Sequence, residues 1–471
     1  MNWKKRLGAA ESNLHQADAP PAGPSVTENP AGQTSFLPLS RNWRWFFVAS
    51  LLVGAVLRVS FGGDIEFKYD EWFMFDQSQK AGITEPLPTL GMESGVGVRN
   101  PPLSIWMFLA LRRAFFSTTP PELARAVQIL NILALAGLLL FALRGVEARW
   151  REPWLWAFAL VCVNPIAIFL QRKIWAQSTL PLFCVLALWA WSNRDRRPGA
   201  LLWGLLGIWL GQIHLSGFIF TLALVIWTAA SEALGQSNRK TAWGPWLIGL
   251  GLGLLTMLSW LDYYFHLNHQ FSWIRFFLRW FSYPQLHSMY WQVWVSDPLG
   301  LGLTCSLGDR EFLEYLKYPL IAGNPTGLMG MVHVVILGLA GAAFLRFLLR
   351  FWRQQVSLQC LILGRSGSDN SLLLAAAFIG YGIMLTLNVG LLPRHYLVVT
   401  FPLEWLWWTW IFKEAFPVRL MRWMLLGLWG CQLILSIGYL GYIHVNHGAP
   451  TGDYGVAYQF QHPVFTPPPQ N

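Results

Sequence analysis

The stretch FKYDEWFMFDQ, residues 67–77, sets Asp70 and Glu71 side by side among Tyr69, Trp72, Phe73 and Phe75. A carboxylate in such a setting can take the proton of an acceptor hydroxyl. Two arginines in other short polar segments, Arg172 and Arg394, offer a cationic clamp for a departing phosphate, since a guanidinium grips phosphate oxygens in pairs. Arg58, Lys173, His214 and Tyr396 are further candidate substrate contacts. Each residue also has a plainer reading. Asp70 and Glu71 are well placed to open a helix, where acids complement the dipole. Adjacent helical residues point about 100° apart, so the two acids need not share one task. Arg58 closes an apolar run and can snorkel to an interface or pair with the acidic loop. His214 suits a hydrogen-bonded boundary position, and Tyr396 an interfacial anchor. Asp64, Glu66 and Asp76 read as solvated or structural.

The elements that carry these residues follow from composition. The chain has 471 residues, 54% hydrophobic and 12% charged. That is about half the usual charged fraction of a soluble domain. With many apolar runs near 20 residues, it predicts an all-α polytopic membrane protein. Eleven spans are expected, at roughly 43–61, 123–143, 153–171, 174–192, 199–213, 215–231, 244–262, 326–346, 371–390, 396–412 and 422–443. Residues 104–116, with Arg112 and Arg113 at one end, read as an interfacial helix. Residues 1–40 read as a disordered tail, not a cleavable signal. The core is expected at 41–443, with outer loops at 62–122 and 263–325 and an outer tail at 444–471. The five cysteines have no spacing that suggests disulfides or a zinc site.

The net charge of +10 is explained by loops rather than by a nucleic-acid surface. Lys and Arg recur in every second inter-span segment, from Lys4, Lys5 and Arg6 to Lys413, Arg419 and Arg422. The positive-inside rule then puts the N-terminus in the cytoplasm and the C-terminus outside. It places the YDEW loop and the turns QRKIW (171–175), QIHLSG (212–217) and LLPRHY (391–396) on the outer face. In the long loop, FSWIRFFLRWFSY (271–283) with Arg275 and Arg279 reads first as an amphipathic surface helix. An outer site has no nucleotide-sugar supply, so transfer there calls for a donor already in the membrane. A sugar on a polyprenyl phosphate is such a donor.

YDEW followed by RNPPLSIW resembles the first outer loop of the GT-C glycosyltransferases, in the branch of protein O-mannosyltransferases and aminoarabinose transferases. FLQRKIWAQSTLPLF and LLPRHYLVVTFPLEWLW resemble later elements of that family, so the likeness runs from about residue 50 to 412. The resemblance implies Asp70 as catalytic base and Glu71 as the acid beside it. Asn100, Pro101, Pro102 and Leu103 match a His-Pro-Pro-Leu stretch, with Asn in place of His. Val98 and Arg99 stand where some relatives have an acid that helps hold a metal, so the sequence does not support a divalent metal here. Arg99 becomes a candidate phosphate contact instead, and His214 falls roughly where relatives have a basic residue.

The expected activity is inverting transfer of a sugar from a polyprenyl-phosphate donor to a lipid, glycan or protein hydroxyl, outside a plasma (inner) membrane. Arg172, Arg394 and Arg99 would neutralise the leaving phosphate. The alternatives are an O-antigen ligase or polymerase using a lipid diphosphate, recruiting Arg310 and His287, and a lipid transporter or flippase. The last would favour ionisable residues at mid-membrane and paired interrupted helices, neither of which is visible in the sequence. A catalytically inactive scaffold of the same family is a third reading.

Overall fold

The computed structural model describes residues 41–94, 97–237, 239–268, 272, 288–353, 368–386 and 394–461. The tail at 1–40, most of the 271–283 stretch with Arg275 and Arg279, His287, Cys360, Arg365 and the residues after 461 lie outside them. The described residues are predominantly helical, and their strands form only two hairpins of two-residue strands. Six helices are long and apolar enough to cross a membrane, or seven if the bent pair Trp243–Leu255 and Leu258–His266 counts as one span. The chain is a multi-span membrane protein.

The expected count of eleven exceeds this number because several apolar runs are interrupted. Helix α1 (Arg41–Val59) is continuous; α2 (Tyr69–Lys80) and α3 (Leu103–Phe115) follow in the first large loop, and α4 (Pro120–Arg144) crosses again. The run at 153–171 is broken at Asn164-Pro165 into α5 (Ala148–Val163) and α6 (Pro165–Leu170). The run at 174–192 begins as a 3-10 turn before α7 (Leu180–Ser192), and α8 (Arg197–Ile213) is only 17 residues long. Helix α9 (Ser216–Ala233) is continuous. The run at 396–412 is a 3-10 segment, Arg394–Thr400, and then a helix, Leu403–Ala415.

Helix α5 is the axis of the packing. It contacts α1, α4 and the helices Leu403–Ala415 and Val418–Val445. Trp154, Trp156 and Phe158 are fully enclosed. Its end shows how a local break creates a polar junction. Pro165 has no N–H, so the Val161 carbonyl loses its helical partner. Arg58 supplies one, donating from Nη2 to Val161 O at 3.1 Å and from Nη1 to Cys162 O at 2.9 Å. Ser436 Oγ donates to Val163 O at 2.6 Å. Gly54, one turn before Arg58, permits this approach, because a Cβ there would meet Cys162 Cβ and O at 2.9 Å.

The polar joints gather at one end of the bundle. Arg125 near the start of α4 donates to Val59 O at the end of α1. Arg172 donates to Leu57 O and Phe61 O, both at 3.0 Å, and closes the same helix end. His444, in the last turn of the helix Val418–Val445, bonds Asp64 at 2.7 Å. The segment 444–461, within the expected outer tail, folds back onto loop 62–68. Its hairpin pairs Gly448–Ala449 with Gly455–Val456, and its backbone N–H groups at Tyr458 and Gln459 donate to Ile65 O and Gly63 O. The unpaired backbone of loop 62–68 attracts this clasp, since buried carbonyls need donors. The Tyr454 hydroxyl donates to Asp64 O and Gln461 Nε2 to Phe67 O.

Candidate functional site

Helix α2 starts as the acidic pair suggested. Glu71 stands at the third helical position, and its Oε2 accepts the Lys68 backbone N–H at 3.0 Å, one half of a capping box. That bond aims Glu71 inward, where it is buried beside Glu66 and Lys173. Lys173 Nζ lies 2.6 Å from Glu66 Oε2 and 4.0 Å from Glu71 Oε1, with the rings of Phe169 and Trp175 at 4.4 and 4.6 Å. Lys68 reaches Glu66 Oε1 at 2.7 Å and Asp453 of the clasp at 3.1 Å. Burial pushes the Glu71 carboxyl up to about 7, helped by Glu66 and opposed by Lys173. Burial works to lower the Lys173 ammonium, but Glu66 and Glu71 outweigh it and hold it above its ordinary range.

Asp70 points elsewhere, as the helical angle between neighbours requires. It is half-buried, and its Oδ2 accepts the Trp175 indole N–H at 3.2 Å. Burial raises its carboxyl above the usual value, against the lowering pull of Trp175, Lys173 and Lys68. Among the described residues no hydrogen bond engages Oδ1. A half-buried carboxylate with one oxygen held and one open is suited to accept a proton.

Trp175 connects Asp70 to the late segment. Its ring meets His395 edge-on at 4.7 Å, and His395 meets His214 at 5.3 Å. His214 packs against Tyr396 at 4.9 Å and shares a 2.6 Å hydrogen bond with Ser216. Burial lowers His214 to about 3, and it lowers His395 well below the ordinary imidazole value, so both rings are neutral at pH 7. Tyr396 contributes its backbone carbonyl to Tyr381.

Arg394, next in the chain to His395, donates from Nη1 to Asp297 Oδ1 at 2.6 Å and to Gly302 O at 2.9 Å. Gly302 is required by this approach, because a Cβ there would sit 1.8 Å from Arg394 Nη1. Burial pushes Asp297 up to about 6 despite the guanidinium. The loop carrying Asp297 is held from the α5–α6 break, where Asn164 Nδ2 donates to Asp297 O at 2.8 Å, and from Gln432, which donates to Pro298 O at 2.7 Å.

Arg394 and Asp297 border a cavity with about 510 Å³ of empty space, part of it open to the outside. Its walls are mostly apolar, among them Ile166, Leu170, Leu397 and Phe401. Gln171 lines it while accepting from Arg58 Nε at 2.7 Å. The segment 171–177 is therefore the joint of the site: Gln171 and Gln177 face the cavity, Arg172 and Lys173 a second small pocket with Asp64 and Glu66, and Trp175 meets Asp70.

The structure thus links Asp70, Glu71, Lys173, His214 and Tyr396 through successive contacts, with Arg394 beside them in the chain. Arg172 and Arg58 border the group, but their guanidinium bonds go to backbone carbonyls and to Gln171. Arg58 neither snorkels nor pairs with the acidic loop. Arg99 is exposed, and its backbone is held by Tyr264 and Trp260. Asn100 is buried, with Nδ2 donating to Met92 O at 3.0 Å. With Val98 buried in an apolar cluster and the Asn100 amide occupied, this corner does not fit a metal. Among the described residues no cluster of three or more His, Cys, Asp or Glu could hold one.

Sequence reasoning passed over Glu66, Trp175 and Asp297 as individual site residues. Glu66 is buried because Ile65 and Phe67 on either side pull the loop inward, and that apolar flanking was its signal. Asp64 likewise is buried rather than solvated, while Asp76 pairs with Lys80 on the half-exposed side of α2. Asp297 had no local signal beyond a Pro-Gly turn.

No protein-family model matches the chain, and no curated protein does. Among solved structures the chain is similar to the oligosaccharyltransferase of Archaeoglobus fulgidus in the apo form, at 13% identity over 91% of this chain and 62% of that one, with a TM-score of 0.45. It is similar also to the oligosaccharyltransferase AglB of that organism in complex with an inhibitory peptide and a dolichol-phosphate, at 13% identity, 85% and 56% coverage and a TM-score of 0.45. The chain therefore spans less than two thirds of the length of these proteins. At this level of likeness, it is the residues of the site that carry the functional reading.

Proposed function

We propose that the chain is a GT-C-type inverting glycosyltransferase that moves a sugar from a polyprenyl-phosphate donor to an acceptor hydroxyl at the extracytoplasmic face of a plasma membrane. The observation that carries this reading is that Asp70 holds Trp175, whose ring meets His395, the chain neighbour of Arg394 at the rim of an apolar cavity. Asp70 takes the proton of the acceptor hydroxyl as its oxygen bonds to the anomeric carbon. The bond from that carbon to the phosphate oxygen breaks on the opposite face, and the polyprenyl phosphate leaves with the electron pair. Arg394 faces this growing negative charge; among the described residues both of its hydrogen bonds use Nη1, leaving its other edge for the phosphate. Glu71, capped and inward, positions α2 and sets the field around Asp70 together with Glu66 and Lys173. Arg172 and Arg58 support the end of α1 rather than touching the donor.

Neutral His214 and His395 favour a packed wall for the site over a second charged clamp, which speaks for a monophosphate donor over a diphosphate. The test is transfer in membranes supplied with synthetic polyprenyl-phosphate and polyprenyl-diphosphate sugars. Wild-type protein should use the monophosphate and Asp70→Asn should not. Undiminished transfer by the variant would remove Asp70 from the chemistry, and preference for the diphosphate would favour a ligase.

A further inference from the structure

The cavity beside Arg394 contains three polar side chains that its apolar walls do not explain. Glu404, at the start of the helix Leu403–Ala415, is buried; its Oε1 is held by the Thr400 hydroxyl, and its Oε2 has no hydrogen-bond partner among the described residues. Gln177 is buried with Oε1 likewise unpartnered. Trp405 is buried with its indole N–H unpartnered. All three line the same cavity. Buried polar atoms are nearly always hydrogen-bonded, and three exceptions around one space point to an occupant that supplies both donors and acceptors. A hydrocarbon tail would leave all three unpaired.

We propose that this cavity receives the sugar ring of the donor, with Gln177 and Glu404 as specificity-determining residues and Trp405 as a third contact. This deepens the donor reading above and rests on it. Sugar hydroxyls donate to Gln177 Oε1 and Glu404 Oε2, and a hydroxyl or ring oxygen accepts from the Trp405 N–H. The apolar C–H face of the ring lies on the walls formed by Phe401 and Trp405. Arg394 at the rim places the phosphate where the lipid chain leaves the cavity and runs between the helices.

The experiment measures the affinity of the full chain in nanodiscs for a synthetic polyprenyl monophosphate. The same lipid is then compared carrying glucose, mannose, galactose or arabinose. Wild-type protein should bind at least one glycosylated lipid more tightly than the bare lipid. Gln177→Leu and Glu404→Leu, which keep bulk but remove the polar atoms, should each weaken that preferred lipid by about tenfold or more and leave the bare lipid unchanged. If Glu404→Leu does not fold, Gln177→Leu decides the matter alone. Preference kept in the folded variants, or equal wild-type binding of bare and glycosylated lipids, would overturn the assignment of this cavity while leaving the lipid-phosphate donor in place. No binding of any of these lipids by wild-type protein would overturn the donor reading, and this one with it.

Discussion

Both ends of the helical bundle carry buried charge, but they handle it differently. At the end away from Asp70, guanidinium meets carboxylate. Arg194 lies 2.7 Å from Asp369, Arg239 lies 3.4 Å from the same carboxylate, and Arg422 grips Glu152 through two bonds of 2.6 and 3.1 Å. At the Asp70 end Arg394 does pair with Asp297, but Arg58 and Arg172 are spent on carbonyls and an amide, and Glu66 and Glu71 crowd around lysines. Asp70 itself has an indole as its hydrogen-bond donor. Matched pairs hold helices together; a carboxylate left with a neutral partner stays free to accept a proton. Buried charge is thus paired off at one end, while at the other Asp70 keeps one oxygen without a hydrogen bond among the described residues.

The largest effect that sharpens this contrast is loss of transfer. Asp70→Asn should lower the rate by about 10²–10⁴-fold with little change in thermal stability, measured as turnover and as the melting midpoint in detergent. Arg422→Ala should do the reverse. It strands a buried Glu152 and should cost about 3 kcal/mol of stability, while turnover per folded molecule stays near wild type. A variant at Arg422 that lost activity but not stability would erase the distinction between the ends.

A smaller effect is expected from Asp297. Its carboxyl titrates at about 6, so above that pH it is ionised and competes with a donor phosphate for Arg394. As pH falls from about 7.5 to about 5, donor affinity should rise by up to about tenfold, and Asp297→Asn should bind tightly and without that slope. Affinity that fell on acidification would remove the phosphate from Arg394. The smallest effect concerns Glu71, raised to about 7 from an ordinary 4.5. A raised carboxyl makes its stabilising share complete below the ordinary value and lost as pH rises through about 7. Glu71→Gln should flatten that loss by on the order of 1 kcal/mol, read as the change in melting midpoint between acidic and alkaline buffers.

The parts legible in the sequence were those with a one-dimensional signal. Apolar runs foretold a helical membrane protein, and the polar turns at 171–175, 212–217 and 394–396 do converge at one end with the YDEW loop. The helix-opening role of the acids was also readable, and it turned out to separate them: Glu71 caps, Asp70 faces Trp175. What escaped were partnerships across long separations. Arg58 looked like an interfacial or ion-paired residue because its true acceptors are carbonyls freed by a proline more than a hundred residues later. Nor does the sequence show that polar atoms of Glu404 and Gln177 are enclosed without partners among the described residues, which only folding reveals. Breaks such as Asn164-Pro165 escaped for a related reason: hydropathy averages over interruptions that the backbone cannot ignore.

The clasp at 444–461 has a consequence in time. The loop bearing Asp64 to Asp70 emerges from the ribosome early, whereas His444 and its neighbours, which lock that loop, follow 380 residues later. Every membrane-crossing helix among the described residues is already synthesised when the clasp arrives. The acid cluster is thus assembled as a closing act of biosynthesis, and a chain cut short just after residue 445 would carry these helices without the hairpin that locks the loop.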